Sequence, residues 1–144
     1  MGIEAKSLVL LDTNCFIYYF ENNEKYADKL EEIFTRIQEG DIKAGMSVLS
    51  FIEILVKPKK EKNIFIENRY KLTLMNYPNL QIVDVLFEVS DISARLRADH
   101  DIKTPDAIII ATALFIKANY FITNDIRLKK VCEYEGLNVN LLDE

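Results

Sequence analysis

Leu8-Val9-Leu10-Leu11-Asp12-Thr13-Asn14 is the stretch on which the reading of this chain turns. Four apolar residues in a row, with no polar alternation, suit a central parallel strand covered on both faces. The acid that ends the run then stands where open α/β sheets bind ligands, outside the carboxyl end of a strand. Three further acids sit in comparable places. Asp125 follows the apolar run Tyr120-Phe121-Ile122, Asp106 opens the apolar stretch Ala107 to Ile116, and Glu53 interrupts Val48 to Val56. Carboxylates gathered at one edge repel one another, so protons or a cation must lie among them. Hard oxygen ligands favour Mg²⁺ or Mn²⁺. The pattern points to a metal-dependent enzyme.

Outward from that strand, the chain alternates between the two periodicities. Residues 13–20 are expected to be helical, and 24–39 carry Tyr26, Ala27, Leu30, Ile33, Phe34 and Ile37 as one apolar stripe, with Gly40 as the stop. Residues 43–47 read as a strand, Ser47 or Ser50 as the cap of the next helix, and Pro58 as its end. A helix over 61–76, a turn at Pro78-Asn79, a strand over 80–85 and a helix over 86–100 follow. Thr104-Pro105-Asp106 predicts a helix start with threonine as cap and proline first, leading into a buried helix over 107–118. A strand over 120–123, a helix over 126–135 stopped by Gly136, and a strand over 139–142 complete the order. Alternating strands and helices predict a three-layer α/β/α sandwich around a central parallel sheet.

The 144 residues suit one domain over 1–144, enough to bury roughly two-thirds of the unfolded surface. No apolar run reaches the roughly 18 residues of a membrane helix, and the signature of a signal peptide is missing. Cys15 and Cys132 form no CxxC pair and lie in apolar surroundings, as core thiols of a reduced, cytoplasmic protein do. The net charge of −5 argues against wrapping nucleic acid by phosphate neutralisation alone. It leaves room for a nuclease, because a bound metal supplies positive charge where the phosphate must sit.

Each acid alone has a structural explanation. Asp12 and Asp125 are placed to cap helices, Asp106 suits the dipole of a first turn, and Ser50-Phe51-Ile52-Glu53 fits a capping box. Together they are harder to set aside, since Glu53 lies among Phe51, Ile52, Ile54 and Leu55, where an unpaired carboxylate is costly. Around one cleft they would hold one or two divalent ions, about 4 Å apart if two.

Four segments carry a family resemblance: Leu11-Asp12-Thr13-Asn14; Ser50-Phe51-Ile52-Glu53-Ile54; Thr104-Pro105-Asp106 with the run to Leu114; and Thr123-Asn124-Asp125. In order and spacing they resemble the motifs of PIN domains, the third most specifically, over nearly the whole chain from Leu8. Small members of that family are mostly VapC-like ribonuclease toxins of prokaryotic toxin–antitoxin pairs. The resemblance implies Mg²⁺- or Mn²⁺-dependent cleavage of RNA to a 5′-phosphate, a homodimer, and a protein antitoxin that blocks the site. It implies Asp12, Glu53, Asp106 and Asp125 as the acidic quartet. Asp12 and Asp106 would bind metal most directly, Asp125 would assist, and Glu53 would serve as an outer ligand or as the base. Thr13, Asn14, Thr123 and Asn124 resemble the residues that hold such a cleft by hydrogen bonds. His100-Asp101 departs from the family in a loop where many members have glycine.

Other signals are weaker. Arg127, Lys129 and Lys130 follow Asp125 directly and are candidates for substrate contact. Lys57, Lys59, Lys60 and Lys62 read as a solvated face, and Tyr18, Tyr19 and Phe20 as packing residues rather than base-stacking ones. His100-Asp101 is too little for an HD-type metal site, because the chain has one histidine. A dehalogenase-type phosphatase would want an acid where Asn14 stands, and a receiver domain would want paired acids near the first strand. An RNA-processing PIN nuclease outside any toxin system, or a non-catalytic module on this fold, remain the alternative functions.

Overall fold

The apolar run of the opening stretch forms strand β1 (Leu8–Leu11), and every other strand of the sheet runs parallel to its neighbour. The computed structural model describes residues 2–144. After β1 come helices α1 (Thr13–Phe20) and α2 (Ala27–Glu39), strand β2 (Lys43–Ser47), and helices α3 (Val48–Lys60) and α4 (Ile64–Asn76). Strand β3 (Leu80–Val83), helices α5 (Phe87–Asp99) and α6 (Thr104–Phe115), strand β4 (Tyr120–Thr123), helix α7 (Ile126–Tyr134) and strand β5 (Asn138–Leu141) follow. The strand order is β3-β2-β1-β4-β5.

Alternate residues of the strands feed two separate cores, one on each face. Val9, Leu11, Met46 and Ile122 pack with Phe16, Leu30, Phe34 and Ile37 of α1 and α2. Leu10 and Phe121 pack with Leu96, Ile110 and Cys132 of α5, α6 and α7. The chain is therefore the expected three-layer α/β/α sandwich. Gly45 on β2 permits the close approach of α6, since a Cβ there would lie 2.8 Å from the Ile116 side chain. Gly40 closes α2 in the left-handed conformation at φ 82°, as its placement predicts.

Several boundaries move for identifiable reasons. Pro58 does not end α3. It sits buried inside the helix, which runs on to Lys60 and closes through Glu61 N–H to the Lys57 carbonyl. So near the carboxyl end only one helical bond is lost, and burial of the ring offsets it. Ser47, not Ser50, caps α3 by accepting from Leu49 N–H at 3.1 Å. Lys103 rather than Thr104 occupies the cap of α6, and Thr104 is its first residue. A turn bonded from Tyr26 N–H to the Asn23 carbonyl delays α2, and Asn63 caps α4 after Lys62 at φ 53°. Strand β3 stops at Val83, and β5 begins at Asn138. Cys15 and Cys132 are buried free thiols, as expected. Among the described residues no helix is long and apolar enough to cross a membrane.

Candidate active site

The chain order reverses at β1, which pairs with β2 on one side and β4 on the other. In doubly wound sheets this reversal opens a crevice at the carboxyl ends of the two central strands. Leu11 is in register with Ile122, and the Asp12 N–H donates to the Ile122 carbonyl at 3.0 Å. Asp12 and the Thr123-Asn124-Asp125 segment therefore leave adjacent strands at the same level. Glu53 reaches this edge from α3, which follows β2, and Asp106 from the first turn of α6, which leads to β4.

Asp12 is buried, with 7% of its surface exposed. It caps α1, accepting from Thr13 N–H at 2.7 Å, and takes the Thr123 hydroxyl at 2.6 Å. Asn14 adds a long amide contact of 3.4 Å. These donors favour the carboxylate, yet burial outweighs them. Together with the charges of Asp106 and Glu53, it pushes the Asp12 pKa from 3.8 up to about 6. Asp106 is half-buried and likewise raised, by desolvation and by Asp125, although Arg127 and Lys103 pull the other way. The four acids are thus linked electrostatically in a row, Glu53 to Asp12 to Asp106 to Asp125.

The outer two acids have partners of their own. Asp125 caps α7 by accepting from Arg127 N–H, and the Arg127 guanidinium grips it with Nε at 3.0 Å and Nη2 at 2.6 Å. That fork holds the Asp125 carboxyl below its ordinary value. Glu53 is exposed, contrary to the burial its apolar neighbours suggest, because α3 turns Ile54 and Leu55 inward instead. It accepts from the Thr13 hydroxyl at 2.8 Å through Oε1. With Ser47 as the cap, Glu53 lies too far along α3 for a capping box, and Ser50 takes another task. Its fully buried hydroxyl lies 2.7 Å from that of Thr13; since Thr13 gives its proton to Glu53, Ser50 is the donor between them.

The supporting residues mostly meet. Thr123 serves Asp12 while accepting from Asp125 N–H at 3.0 Å, and Asn14 holds the Asn124 N–H at 3.3 Å. The Asn124 side chain turns away, donating to Tyr26 at 3.2 Å and Tyr18 at 3.4 Å, and its buried Oδ1 is without a hydrogen-bond partner among the described residues. Tyr26 in turn donates to Asp143 at 2.6 Å. Lys129 points to Glu144 at 3.0 Å rather than to the acids. Tyr18, Tyr19 and Phe20 stack on Tyr26, Phe34 and Tyr70, as packing residues. Lys57 and Lys59 pair with Glu21 and Glu67. The role of Ser50 was missed in sequence reasoning, although its i, i+3 spacing to Glu53 puts both on one helix face.

Among the described residues no three His, Cys, Asp or Glu side chains already converge on one point. Asp12 and Asp106 nevertheless suit a small hard cation. They offer carboxylate oxygens that no cation is bonded to among the described residues, and Mg²⁺ is commonly held by one or two carboxylates with water completing the shell. Softer donors are engaged elsewhere: both thiols are buried and pushed up, and His100 is bonded to Glu135 at 3.0 Å.

A sequence profile of the PIN domain matches residues 9–134. No curated protein matches the chain in sequence. Among solved structures, VapBC2 from Rickettsia felis, bound to a DNA fragment from its promoter, is similar with a TM-score of 0.71 and 18% identity over 93% of this chain and 98% of that one. A toxin–antitoxin complex from Klebsiella pneumoniae is similar with a TM-score of 0.69 and 25% identity over 93% and 97% of the two chains. DNA-bound VapBC from Salmonella typhimurium gives 0.68 and 16% over 94% and 98%.

Proposed function

The chain belongs to the PIN-domain family, and on that premise we propose that it is a divalent-metal-dependent endoribonuclease, the toxin of a toxin–antitoxin pair. The observation that carries the proposal is the Asp12–Asp106 pair. These two acids repel each other at the switch point of the sheet, one of them buried, with no cation bonded to Asp12 among the described residues. A structural cap would not need a second acid opposite it.

In this reading Asp12 and Asp106 would hold Mg²⁺ or Mn²⁺, and Asp125 would assist if freed from Arg127. The ion would lower the pKa of water and offset charge on the phosphate oxygens. Thr123 and the Thr13 N–H keep the Asp12 carboxylate aimed, and Asn14 ties the Asn124 backbone to the same wall. Glu53 takes the proton of the attacking water. Thr13 fixes its Oε1 and leaves Oε2 without a protein partner among the described residues. Water adds to phosphorus as the bond to the 3′ oxygen breaks, and that oxygen takes a proton from solvent, giving a 5′-phosphate and a 3′-hydroxyl.

The toxin assignment draws on neighbours that are toxin–antitoxin complexes. Ile52 and Val56, four residues apart on α3, are exposed apolar side chains that a homodimer would cover. The place of action in this reading is the cytoplasm. The test is cleavage of RNA in Mg²⁺, Mn²⁺ or EDTA by wild type and Asp12→Asn. Metal-dependent cleavage by wild type alone is expected; equal cleavage by both would remove the acidic pair from the reaction.

A further inference from the structure

A groove of about 550 Å³ shares Asp106 and Arg127 with the acidic site and continues past them along α7 to Tyr134. Its other cations are Lys103 and Lys130, both exposed. Among the described residues neither ammonium has an ion-pair partner. Lys57, Lys59, Lys71 and Lys129 by contrast each lie against a carboxylate, and of the lysines without an ion pair only Lys103 and Lys130 line this groove. Lys103 is also near enough for its charge to act on Asp106.

Tyr134 leaves 78% of its surface exposed, but its ring is not loose. His100 meets it edge-on at 5.2 Å, and His100 is anchored by Glu135, which Arg95 holds at 3.0 Å. An exposed aromatic ring held by a neighbouring ring is a platform for an unpaired base. Of the acids in the groove, Asp99 faces Arg95 at 3.5 Å, while Asp101 and Asp106 have no ion-pair partner among the described residues and Asp106 stands at the end nearer the acidic site. The volume lies within the range that encloses a small ligand.

The geometry points to this groove as the subsite for the nucleotide next to the cleaved bond of a single-stranded RNA, with Lys103 and Lys130 on its phosphate and Tyr134 stacked on its base. The inference rests on the nuclease reading above. Duplex RNA does not fit it, because a paired base cannot present its face to Tyr134.

The experiment follows fluorescence anisotropy of a labelled single-stranded oligoribonucleotide, and of its duplex, over a range of salt in Mg²⁺. It is made in an Asp12→Asn background, with wild-type cleavage assayed in parallel. Replacing Lys103 and Lys130 together by alanine should lower the slope of log affinity against log salt by about 1.4. Tyr134→Ala should weaken single-strand binding by roughly 5- to 100-fold, and Tyr134→Phe should restore it. Lys60→Ala and Lys62→Ala, away from the groove, should leave both quantities unchanged. Groove variants that bind like their parent, while wild type cleaves RNA, overturn the subsite alone. A wild type that neither cleaves nor binds RNA overturns the subsite and the nuclease reading together.

Discussion

Asp12 and Asp125 end neighbouring strands and cap the helices that follow, yet their surroundings act in opposite senses. Asp12 is buried among neutral donors and carries a pKa of about 6. Asp125 is gripped by a guanidinium two residues along the chain and is held below its ordinary value. One local pattern thus gives two electrostatic outcomes, decided by burial on one side and by Arg127 on the other. In the Asp12–Asp106 half no cation is bonded to either carboxylate among the described residues, although Lys103 and Arg127 act on Asp106 through space, and the Asp125 half brings its own positive partner. That second charge is held weakly, because Arg127 is 74% exposed and such pairs contribute little in water.

The largest effect that would break this contrast is on catalysis. Asp12→Asn and Asp106→Asn should each lower cleavage by several kcal/mol in barrier, roughly a thousandfold or more. Initial rates at saturating Mg²⁺ measure it; a loss below tenfold would mean that this half does not hold the reactive cation. Stability should move the other way. The gap between 3.8 and about 6 for Asp12 corresponds to roughly 3 kcal/mol against the charged form. The folded state binds the proton more tightly than the unfolded chain, so metal-free stability should fall as pH rises from 3.8 through 6 and level off above. Melting curves in EDTA should show this in wild type and lose it in Asp12→Asn. That variant should melt about 6–12 °C higher at pH 7. Mn²⁺ affinity should drop about tenfold per pH unit below 6, as proton and cation compete for one carboxylate. A flat profile would put the charge of Asp12 elsewhere.

The two halves were unequally legible in the sequence. Backbone placement was readable: uninterrupted apolar runs fix buried parallel strands, and an acid just after such a run falls at the sheet's carboxyl edge whatever its role. The layer order and the location of Asp12 and Asp125 followed from that, and the location of Asp106 from the helix start Thr104-Pro105-Asp106. Side-chain partnership was not. Arg127 is a candidate for substrate contact by its place after Asp125, and in the structure it folds back on Asp125, a pose that spacing does not decide. Glu53 looked buried because its neighbours are apolar; in a helix, neighbours in sequence point about 100° apart, so Ile54 and Leu55 turn inward while Glu53 faces solvent. Pro58 inside α3 and Ser47 as its cap are tertiary outcomes of the same kind.

A smaller effect tests whether the Glu53 side is held as firmly as the Asp12 side. Thr13→Val strips Glu53 of its donor and leaves the buried Ser50 hydroxyl without an acceptor. The orphaned hydroxyl should cost about 1–3 kcal/mol of stability, read by denaturant unfolding. Adding Ser50→Ala should return most of that loss, since removing both partners leaves nothing unsatisfied. Catalysis should stay low in the double variant, because Glu53 is still unaimed. If stability and activity recover together, Thr13 acts on the fold and not on Glu53.

The smallest effect is the most direct test of the contrast. If Arg127 neutralises Asp125 in place of a divalent ion, Arg127→Ala should tighten Mn²⁺ binding, by no more than about fivefold given the worth of an exposed pair. Calorimetric titration with Mn²⁺ alone reads this without substrate, so any loss of RNA contact does not enter. Arg127→Lys keeps the charge but not the two-pronged grip, and it should fall between the two. Weaker binding by Arg127→Ala would reverse the interpretation. Arg127 would then be aiming Asp125 toward the cation, and the two halves of the site would form a single unit that differs only in which residue holds the carboxylate still.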